Sequence, residues 1–319
     1  DLTSIALILV IAIAVWESIN AVLERYALRV FGEAPSRRGM RARTLIMLAQ
    51  RALLAVIVVF VGMIILSEIG INIAPLIAGD PRFINPVDRL QPPSAAHYFG
   101  TDHLGRDVFA RCVYGARISL IVGLCVAFLA VVLGLAIGLA AGYVRRVDNI
   151  VMRVMDGLMA IPAILLAIAL VSLNKAGVGI VIVAITIPEV PRVVRLVRSV
   201  VLTTREQPYI EAAISGGSRA LKIVLRHILP STVPPLIVQA TYVAASAILI
   251  EAGLSFLGAG VPPETPTWGN MIASSRLLLA RAPWTIFFPG ACLALVVLAI
   301  NLVGDGLRDL LDPRLARRM

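Results

Sequence analysis

Residues 118–144 read ISLIVGLCVAFLAVVLGLAIGLAAGYV, and none of these 27 residues is Asp, Glu, Lys or Arg. A helix needs about 20 apolar residues to cross the hydrocarbon core of a bilayer, which is roughly 30 Å thick. An uncharged stretch of this length therefore predicts a transmembrane helix.

The composition of the whole chain also indicates a membrane protein. Of the 319 residues, 59% are apolar and 15% are charged, and the mean hydropathy is +0.91. Soluble domains average about 45–50% apolar and about 25% charged residues. These values exclude an ordinary soluble enzyme, and they exclude a disordered chain, which needs low hydropathy.

Five further uncharged stretches predict membrane spans. Six spans from about residue 50 onward describe an all-α, polytopic transmembrane bundle over residues 51–319. Three of the five have 18 to 23 residues and two are shorter; they are 228–250, 282–304, 157–174, 52–67 and 176–188.

Residues 1–50 form an N-terminal extension in this interpretation. Residues 2–16 are apolar but lack the basic start and the cleavage site of a signal peptide. They either span the bilayer or lie along its surface. Residues 24–51 are rich in Arg and partly amphipathic, which suits an anionic membrane face.

The distribution of basic residues predicts the orientation. The net charge is +10, from 27 Arg and 2 Lys against 19 acidic residues. If residues 24–51 face the cytoplasm, 21 of the 29 basic residues fall on that side, as the positive-inside rule requires. The loop at 192–227 and the C-terminus are then cytoplasmic, and segments 75–117 and 258–281 are external. In so apolar a chain the basic excess indicates anionic lipid and not nucleic acid.

The sequence predicts neither a metal site nor enzymatic chemistry. Cys112, Cys125 and Cys292 are odd in number and far apart, which favours buried packing over disulfides or zinc. His97 and His103 lie in a predicted external loop without a third ligand. No GxxxxGK[ST] motif occurs, so the chain has no P-loop of its own.

The cytoplasmic segment at about 203–230 predicts a helical hairpin. Residues 206–215 favour a helix, and Gly216 and Gly217 permit a reversal. A second helix then places Leu221, Val224, Leu225 and Ile228 on one apolar side. Such a hairpin suits docking to a partner, but a solvated inter-helix loop would have the same periodicity.

The residues of this hairpin resemble the EAA loop of binding-protein-dependent ABC importer permeases. Glu211-Ala212-Ala213 precedes Gly217 by four positions and Leu229-Pro230 follows, although His227 stands where the family usually has Ile. In the family this loop sits in a groove of the ATPase subunit. The resemblance implies that the coupling residues are Glu211, Ala212, Ala213, Ser215, Gly216, Gly217, His227, Leu229 and Pro230.

Other segments are similar to the second permease subunit of dipeptide and oligopeptide importers, with the type I ABC importer fold. The similarity covers about residues 80–314. It implies a pore-forming subunit of an ATP-driven peptide importer in the inner membrane, although nickel and glutathione carriers share these motifs. It also implies a second homologous permease, two ATPase subunits that hold ATP and Mg, and an extracytoplasmic binding protein, with no cofactor in this chain. The segments are 99–107, 115–120, 251–258, 268–269 and 304–313.

Residues 1–79 depart from that pattern. The part from 43 to 79 resembles the transmembrane segment of a small-conductance mechanosensitive channel instead. This leaves an ion channel subunit, which would conduct without an ATPase, as the alternative function.

Within the longest span, Gly134, Gly138 and Gly142 form a ridge of small residues that allows close helix approach. The partner is either another helix of this chain or the second permease.

Charged residues at membrane depth are candidates for the translocation path or a gate. Asp156 is also positioned to pair with Arg153 three residues away. Pro188 and Pro191 flank the second candidate, Glu189, where the helix is expected to break and end the fourth span. The third candidate, Glu251, is equally suited to binding backbone groups of an external loop. The candidates are Asp156, Glu189 and Glu251.

Overall fold

A computed structural model of the protein describes residues 80–173 and 177–311. The regular secondary structure of these residues is helical, and among them the structure has no β-strand, only an isolated bridge between Thr101 and Asp107. The predicted all-α class is confirmed for this part of the chain. The predicted span at 52–67, the extension 1–50 and the channel-like segment lie outside the described residues.

The helices are numbered here in chain order. The chain divides into two compact units, residues 81–300 and residues 1–80 with 301–319. The described part of the second unit is Asp80 and residues 301–311, which end the last helix. The helices are α1 Val108–Tyr143, α2 Arg145–Ala160, α3 Ala163–Ser172, α4 Val178–Arg205, α5 Pro208–Ser215, α6 Ala220–Ile223, α7 Leu229–Phe256, α8 Trp268–Ser275 and α9 Trp284–Leu311.

Helix α1 contains all but the last residue of the predicted span at 118–144. Its 36 residues measure roughly 54 Å at 1.5 Å per residue, so it is longer than a bilayer core is thick. Asp107 caps its first turn, because the side-chain Oδ1 accepts the backbone N–H of Ala110 at 2.8 Å. The start of the helix is thus fixed by a polar residue, well before the apolar stretch begins.

Among the described residues, three helical segments are long and apolar enough to cross a membrane: Val108–Tyr143, Ala220–Phe256 and Trp284–Arg308. A fourth would be α2 with α3, which are bent by 89°. The expected span at 157–174 is therefore not one straight helix. Pro162 causes the break, because proline lacks an N–H and disfavours the helical conformation at Ile161, whose φ and ψ are −92° and 128°.

Helix α4 runs unbroken through Pro188 and Pro191, so the predicted helix end at Glu189 is wrong. Prolines are tolerated inside membrane helices because neighbouring helices and Ser or Thr side chains satisfy the backbone groups that the proline leaves without a partner. Here both prolines are buried in the bundle, and Thr186 Oγ1 donates a hydrogen bond to the carbonyl of Ile182 at 2.7 Å just before them.

The core of the unit 81–300 lies where α1 packs against α4 and α7. The glycine ridge of α1 faces α4, and each glycine receives one valine. A Cβ built on these glycines would lie only 2.5 to 2.7 Å from the valine Cβ, so no larger residue fits without a shift. The ridge is thus occupied within the chain, in the pairs Gly134–Val193, Gly138–Val197 and Gly142–Val201.

Candidate functional site

The segment after α4 folds as the predicted helical hairpin. Helix α5 begins at Pro208, whose missing N–H costs nothing in a first turn. It ends in a glycine turn: Gly217 has φ +75°, and the N–H of Ser218 donates to the carbonyl of Ala213 at 3.0 Å. This is the pattern of a Schellman C-cap, which favours glycine at the left-handed position. The helix–glycine–helix prediction is confirmed.

The second arm of the hairpin differs from the predicted amphipathic helix. Ile223 and Ile228 are buried in the core, whereas Leu221 and Leu225 are exposed, so the predicted apolar side is wrong for these two leucines. The reason is that α6 has only four residues and continues into a π-helical turn, Val224–Ile228, which adds one residue per turn and rotates the register.

The hairpin presents an exposed surface of mixed character. Ile210 anchors α5 in the core, while the carboxyl-bearing Glu211 and the glycine turn are exposed. Four apolar side chains that the bundle does not cover lie on the same hairpin. We refer to them as the exposed apolar group: Tyr209, Ile214, Leu221 and Leu225.

The nine residues implied by the resemblance all lie in this hairpin and at its junction with α7. His227 is in the π-helical turn, and its ring centroid lies 6.4 Å from that of Tyr209. Helix α7 begins at Leu229 and Pro230. The others are Glu211, Ala212, Ala213 and Ser215 on α5, then Gly216 and Gly217 in the turn.

Asp156 contacts α4 and not its own helix. Its Oδ1 accepts a hydrogen bond from Nη2 of Arg195 at 2.6 Å, so Arg195 takes the place of the predicted partner Arg153. Both side chains are about half exposed, and such pairs contribute only about 0–1 kcal/mol.

A second ion pair shows how α2 lies against α4. Arg198 Nη2 donates to Oδ2 of Asp148 at 2.7 Å. The aspartates are eight residues apart on α2, about 12 Å, but their arginine partners are three apart on α4, about 4.5 Å. Two ion pairs, Asp148–Arg198 and Asp156–Arg195, join α2 to α4 although the spacing of the partners differs on the two helices. Sequence spacing within α2 alone did not indicate either partner.

Glu189 is fully buried and links α4 to α7. Its carboxyl oxygens accept hydrogen bonds from Nη1 of Arg192 at 3.0 and 3.2 Å. Ser246 Oγ on α7 donates to the same carboxyl at 3.3 Å. Glu251 on α7 is also fully buried, and Ser255 Oγ donates to its Oε1 at 2.8 Å.

Two tryptophans, for which the sequence patterns predicted no contact, fasten the predicted external segments to the bundle. Trp268 Nε1 on α8 donates to the carbonyl of Cys112 at 3.1 Å. Trp284 Nε1 at the start of α9 donates to the carbonyl of Thr101 at 3.2 Å. Beside it the rings of Phe99 and Phe288 stack with centroids 4.0 Å apart. The sequence signal for Trp284 was its place at the start of the predicted span 282–304, whereas Trp268 lies away from any predicted span end.

The candidate metal residues form no cluster, but the structure brings the side chains of Cys112 and Cys292 into contact, 180 residues apart in the chain. In the described ranges no three His, Cys, Asp or Glu residues form a group that could hold a metal ion. His97 Nδ1 instead lies 2.8 Å from Oδ2 of Asp107, and burial lowers the pKa of His103. Cys112 is buried, Cys292 is half-buried and Cys125 is exposed, so the prediction of burial is wrong for Cys125, which lies on the outer face of α1.

Residues 119–317 match a protein family described as the binding-protein-dependent transport system inner membrane component. The chain is 64% identical over 245 residues to a probable peptide ABC transporter permease of Sinorhizobium fredii, covering 77% of this chain and 84% of that protein. It is 46% identical over 259 residues to a dipeptide transport system permease of Alkalihalophilus pseudofirmus, covering 80% of this chain and 85% of that protein. It is 44% identical over 230 residues to a glutathione transport system permease of Pectobacterium atrosepticum, covering 72% of this chain and 76% of that protein.

The fold is similar to a chain of the methionine ABC transporter MetNI in an inward-facing conformation. The TM-score is 0.54 at 20% identity, and the match covers 63% of this chain and 96% of that one. This likeness concerns the fold alone, and it confirms the predicted type of permease fold. With the family match and the identity to curated relatives, it shows that this chain belongs to the family of binding-protein-dependent transport inner membrane components, the permease subunits of ABC importers.

Proposed function

We propose that this chain is one of two pore-forming subunits of an ATP-driven importer of short peptides, and that the hairpin at 203–230 couples it to an ATPase. The observation that carries the proposal is the exposed apolar group on the same hairpin as Glu211. A hairpin anchored in the core by Ile210 and Ile223, yet with four large apolar side chains uncovered, is suited to docking against another protein.

The mechanism is alternating access. Closure of two ATPase subunits, which hold ATP and Mg, pushes α5, and the hairpin passes the motion to α4 and α7. Both long helices continue directly from the hairpin, and the Glu189–Ser246 contact joins them. An extracytoplasmic binding protein delivers substrate to the outer mouth, and a second homologous permease completes the pathway. The hairpin and the C-terminus face the cytoplasm.

Among the candidates for the path, Asp156 is the one that solvent reaches in this conformation. Glu189 and Glu251 are buried between helices and would act from behind the path surface, by holding those helices together.

Cysteine cross-linking tests the coupling surface. In a background with the native cysteines replaced, Ile214→Cys is expected to cross-link to the ATPase subunit in the assembled complex. Leu277→Cys, which is more exposed than Ile214 (89% against 55%) but lies in the predicted external segment, is the control and is expected not to. Labelling of Ile214→Cys by a membrane-impermeant thiol reagent added from outside would contradict both the orientation and the docking role.

Peptides are the proposed cargo because the relatives with the highest identity given above carry peptide names. Uptake of labelled di- and tripeptides by the reconstituted complex tests this, with glutathione as the competing substrate. The alternative function, an ion channel, depends on residues 1–79 and predicts conductance from this chain alone in a planar bilayer.

A further inference from the structure

The first turns of α9 meet the region around the start of α1 along one face of the helix. Trp284, Phe288 and Cys292 are spaced four residues apart, which places them on the same side of α9. Trp284 Nε1 donates to the carbonyl of Thr101. The ring of Phe288 stacks on that of Phe99. The third residue of this face, Cys292, is therefore directed toward the same part of the bundle.

Cys292 meets another cysteine there. Its side chain contacts that of Cys112, although 180 residues separate the two in the chain. Cys112 is buried in a group with Val108 and Met271, and Cys292 packs against this group from α9. Both cysteines are free thiols, and Cys292 is only half-buried. The pair thus consists of one enclosed thiol and one that small reagents can reach.

Nothing else in the described ranges recruits the two thiols into a different kind of site. No third His, Cys, Asp or Glu joins them there to form a group that could hold a metal ion. Two thiols that already touch need only move from contact to bonding distance to form a disulfide. The geometry therefore corresponds to the reduced form of a cross-link between α1 and α9.

The pair lies outside the uncharged part of α1. Cys112 precedes the stretch 118–144 by six residues and directly follows Arg111. Six residues of helix measure about 9 Å, so the thiols lie near the outer boundary of the hydrocarbon core and not at its centre. In the orientation proposed above, that boundary faces the extracytoplasmic compartment, where disulfides form and persist. This step rests on the proposed function, whereas the contact between the thiols does not.

We propose that Cys112 and Cys292 are a redox-active pair that closes to a disulfide and ties α9 to the start of α1. The oxidant is a small disulfide of the external compartment. The thiolate of Cys292 attacks one of its sulfurs, forms a mixed disulfide and releases one thiol. The thiolate of Cys112 then attacks the Cys292 sulfur and displaces the second thiol. The cysteines lose two electrons and two protons, which end on the two released thiols.

The disulfide is expected to stabilise the bundle. It closes a loop of about 180 residues that contains helices α2 to α8, and in the chain-entropy model long loops give the largest stabilisation. The oxidised complex is therefore expected to unfold at a higher temperature than the reduced complex. Cys112→Ser is expected to abolish that difference.

Dithiodipyridine, a small disulfide, tests the proposal on the assembled complex after reduction and removal of the reductant. The readout is the mass of this chain, so cysteines in partner subunits do not interfere. In the Cys125→Ser chain, which keeps only the pair, the expected product is lighter by two hydrogens and carries no pyridyl group. Cys112→Ser, which keeps Cys125 and Cys292, is the matched control.

The control pair cannot close because Cys125 lies 13 residues, about 20 Å, further along α1 and is exposed. Each of its thiols is expected to retain a pyridyl group. Digestion of the oxidised wild type gives a second readout that needs no substitution: the peptides that contain Cys112 and Cys292 are expected to be joined.

Three results would overturn the proposal. They are separate pyridyl groups on Cys112 and Cys292, two thiols that react only after the complex is denatured, and a disulfide that Cys125 forms equally well. Since the measurement needs neither substrate nor ATP, its outcome is independent of whether the complex imports peptides.

Discussion

The rings of Tyr209 and His227 lie 6.4 Å apart, centroid to centroid, at an angle of 51°. Tyr209 is on α5 and His227 is in the π-helical turn that leads into α7. The two arms of the hairpin therefore touch across its open end, in addition to being joined by the glycine turn. A hairpin closed at both ends can transmit a push as one body.

This contact predicts non-additive effects in a double-mutant cycle. Tyr209→Ala and His227→Ala are each expected to lower the peptide imported per ATP hydrolysed, by about threefold. Either change opens the same contact, so the double variant is expected to be little worse than the single ones. Uptake and phosphate release measured on the same proteoliposomes give the ratio. Fully multiplicative losses would show that the rings act independently.

Gly217 is expected to be required for coupling because of its backbone conformation. Its φ of +75° is unfavourable for other residues by about 1–2 kcal/mol, yet no atom lies within 4 Å of a Cβ built there. Gly217→Val is therefore expected to distort the turn without a clash, lowering uptake at least tenfold while membrane insertion and ATP hydrolysis persist. Gly179→Val, also without neighbours but with no left-handed φ, is the control. Normal uptake by the Gly217 variant would exclude a coupling role for the turn.

Local chemistry explains which features could be predicted from the sequence. The long span of α1 and the hairpin follow from uncharged length and from glycine and proline positions, which act within a few residues. The exposure of Leu221 and Leu225 could not be foreseen, because one extra residue in the π-helical turn rotates them away from the core.

Contacts between segments that are distant in the sequence could not be predicted either. Asp156 has a basic residue at helical spacing in its own helix, but the packing of α2 against α4 places Arg195 within hydrogen-bond distance instead. The continuity of α4 through two prolines likewise depends on tertiary burial, which local rules do not contain. The glycine ridge showed that a close approach occurs, and only the fold shows that α4 is the partner.

The glycine ridge predicts a specific packing defect and its rescue. A Cβ on Gly138 would lie 2.7 Å from Val197 Cβ, and overpacking of this kind typically costs about 1–3 kcal/mol. Gly138→Ala is expected to lower the thermal stability of the purified complex, and adding Val197→Ala is expected to restore most of it. Gly157→Ala, with no atom within 4 Å, is the control. Failure of the rescue would mean that α1 and α4 do not meet at this register.

The pair of the buried Glu189 and the partly exposed Arg192 predicts asymmetric effects of removing either partner. Arg192→Ala leaves a carboxyl in the bundle with only Ser246 as partner; breaking a fully buried pair costs about 3–5 kcal/mol, and the cost here is expected to be lower because Arg192 is 38% exposed. Glu189→Gln keeps a hydrogen-bonding side chain and removes the buried charge, so it is expected to cost less. The combined variant is expected to be more stable than Arg192→Ala alone, as measured by thermal unfolding. Arg195→Ala, which opens an exposed pair, is the control and is expected to cost at most about 1 kcal/mol.

His103 predicts that the segment 99–107 loosens in acid. Burial lowers its pKa below the ordinary 6.5, and Nδ1 has no partner in the structure. The locally unfolded segment therefore binds a proton that the folded segment does not, so the stabilisation is complete above pH 6.5 and decreases as the pH falls through the lowered pKa. Hydrogen exchange of residues 99–107, corrected for intrinsic rates, is expected to be faster at pH 5 than at pH 7.5. His103→Gln is expected to remove most of that difference, and an unchanged pH dependence in this variant would assign the effect to another group.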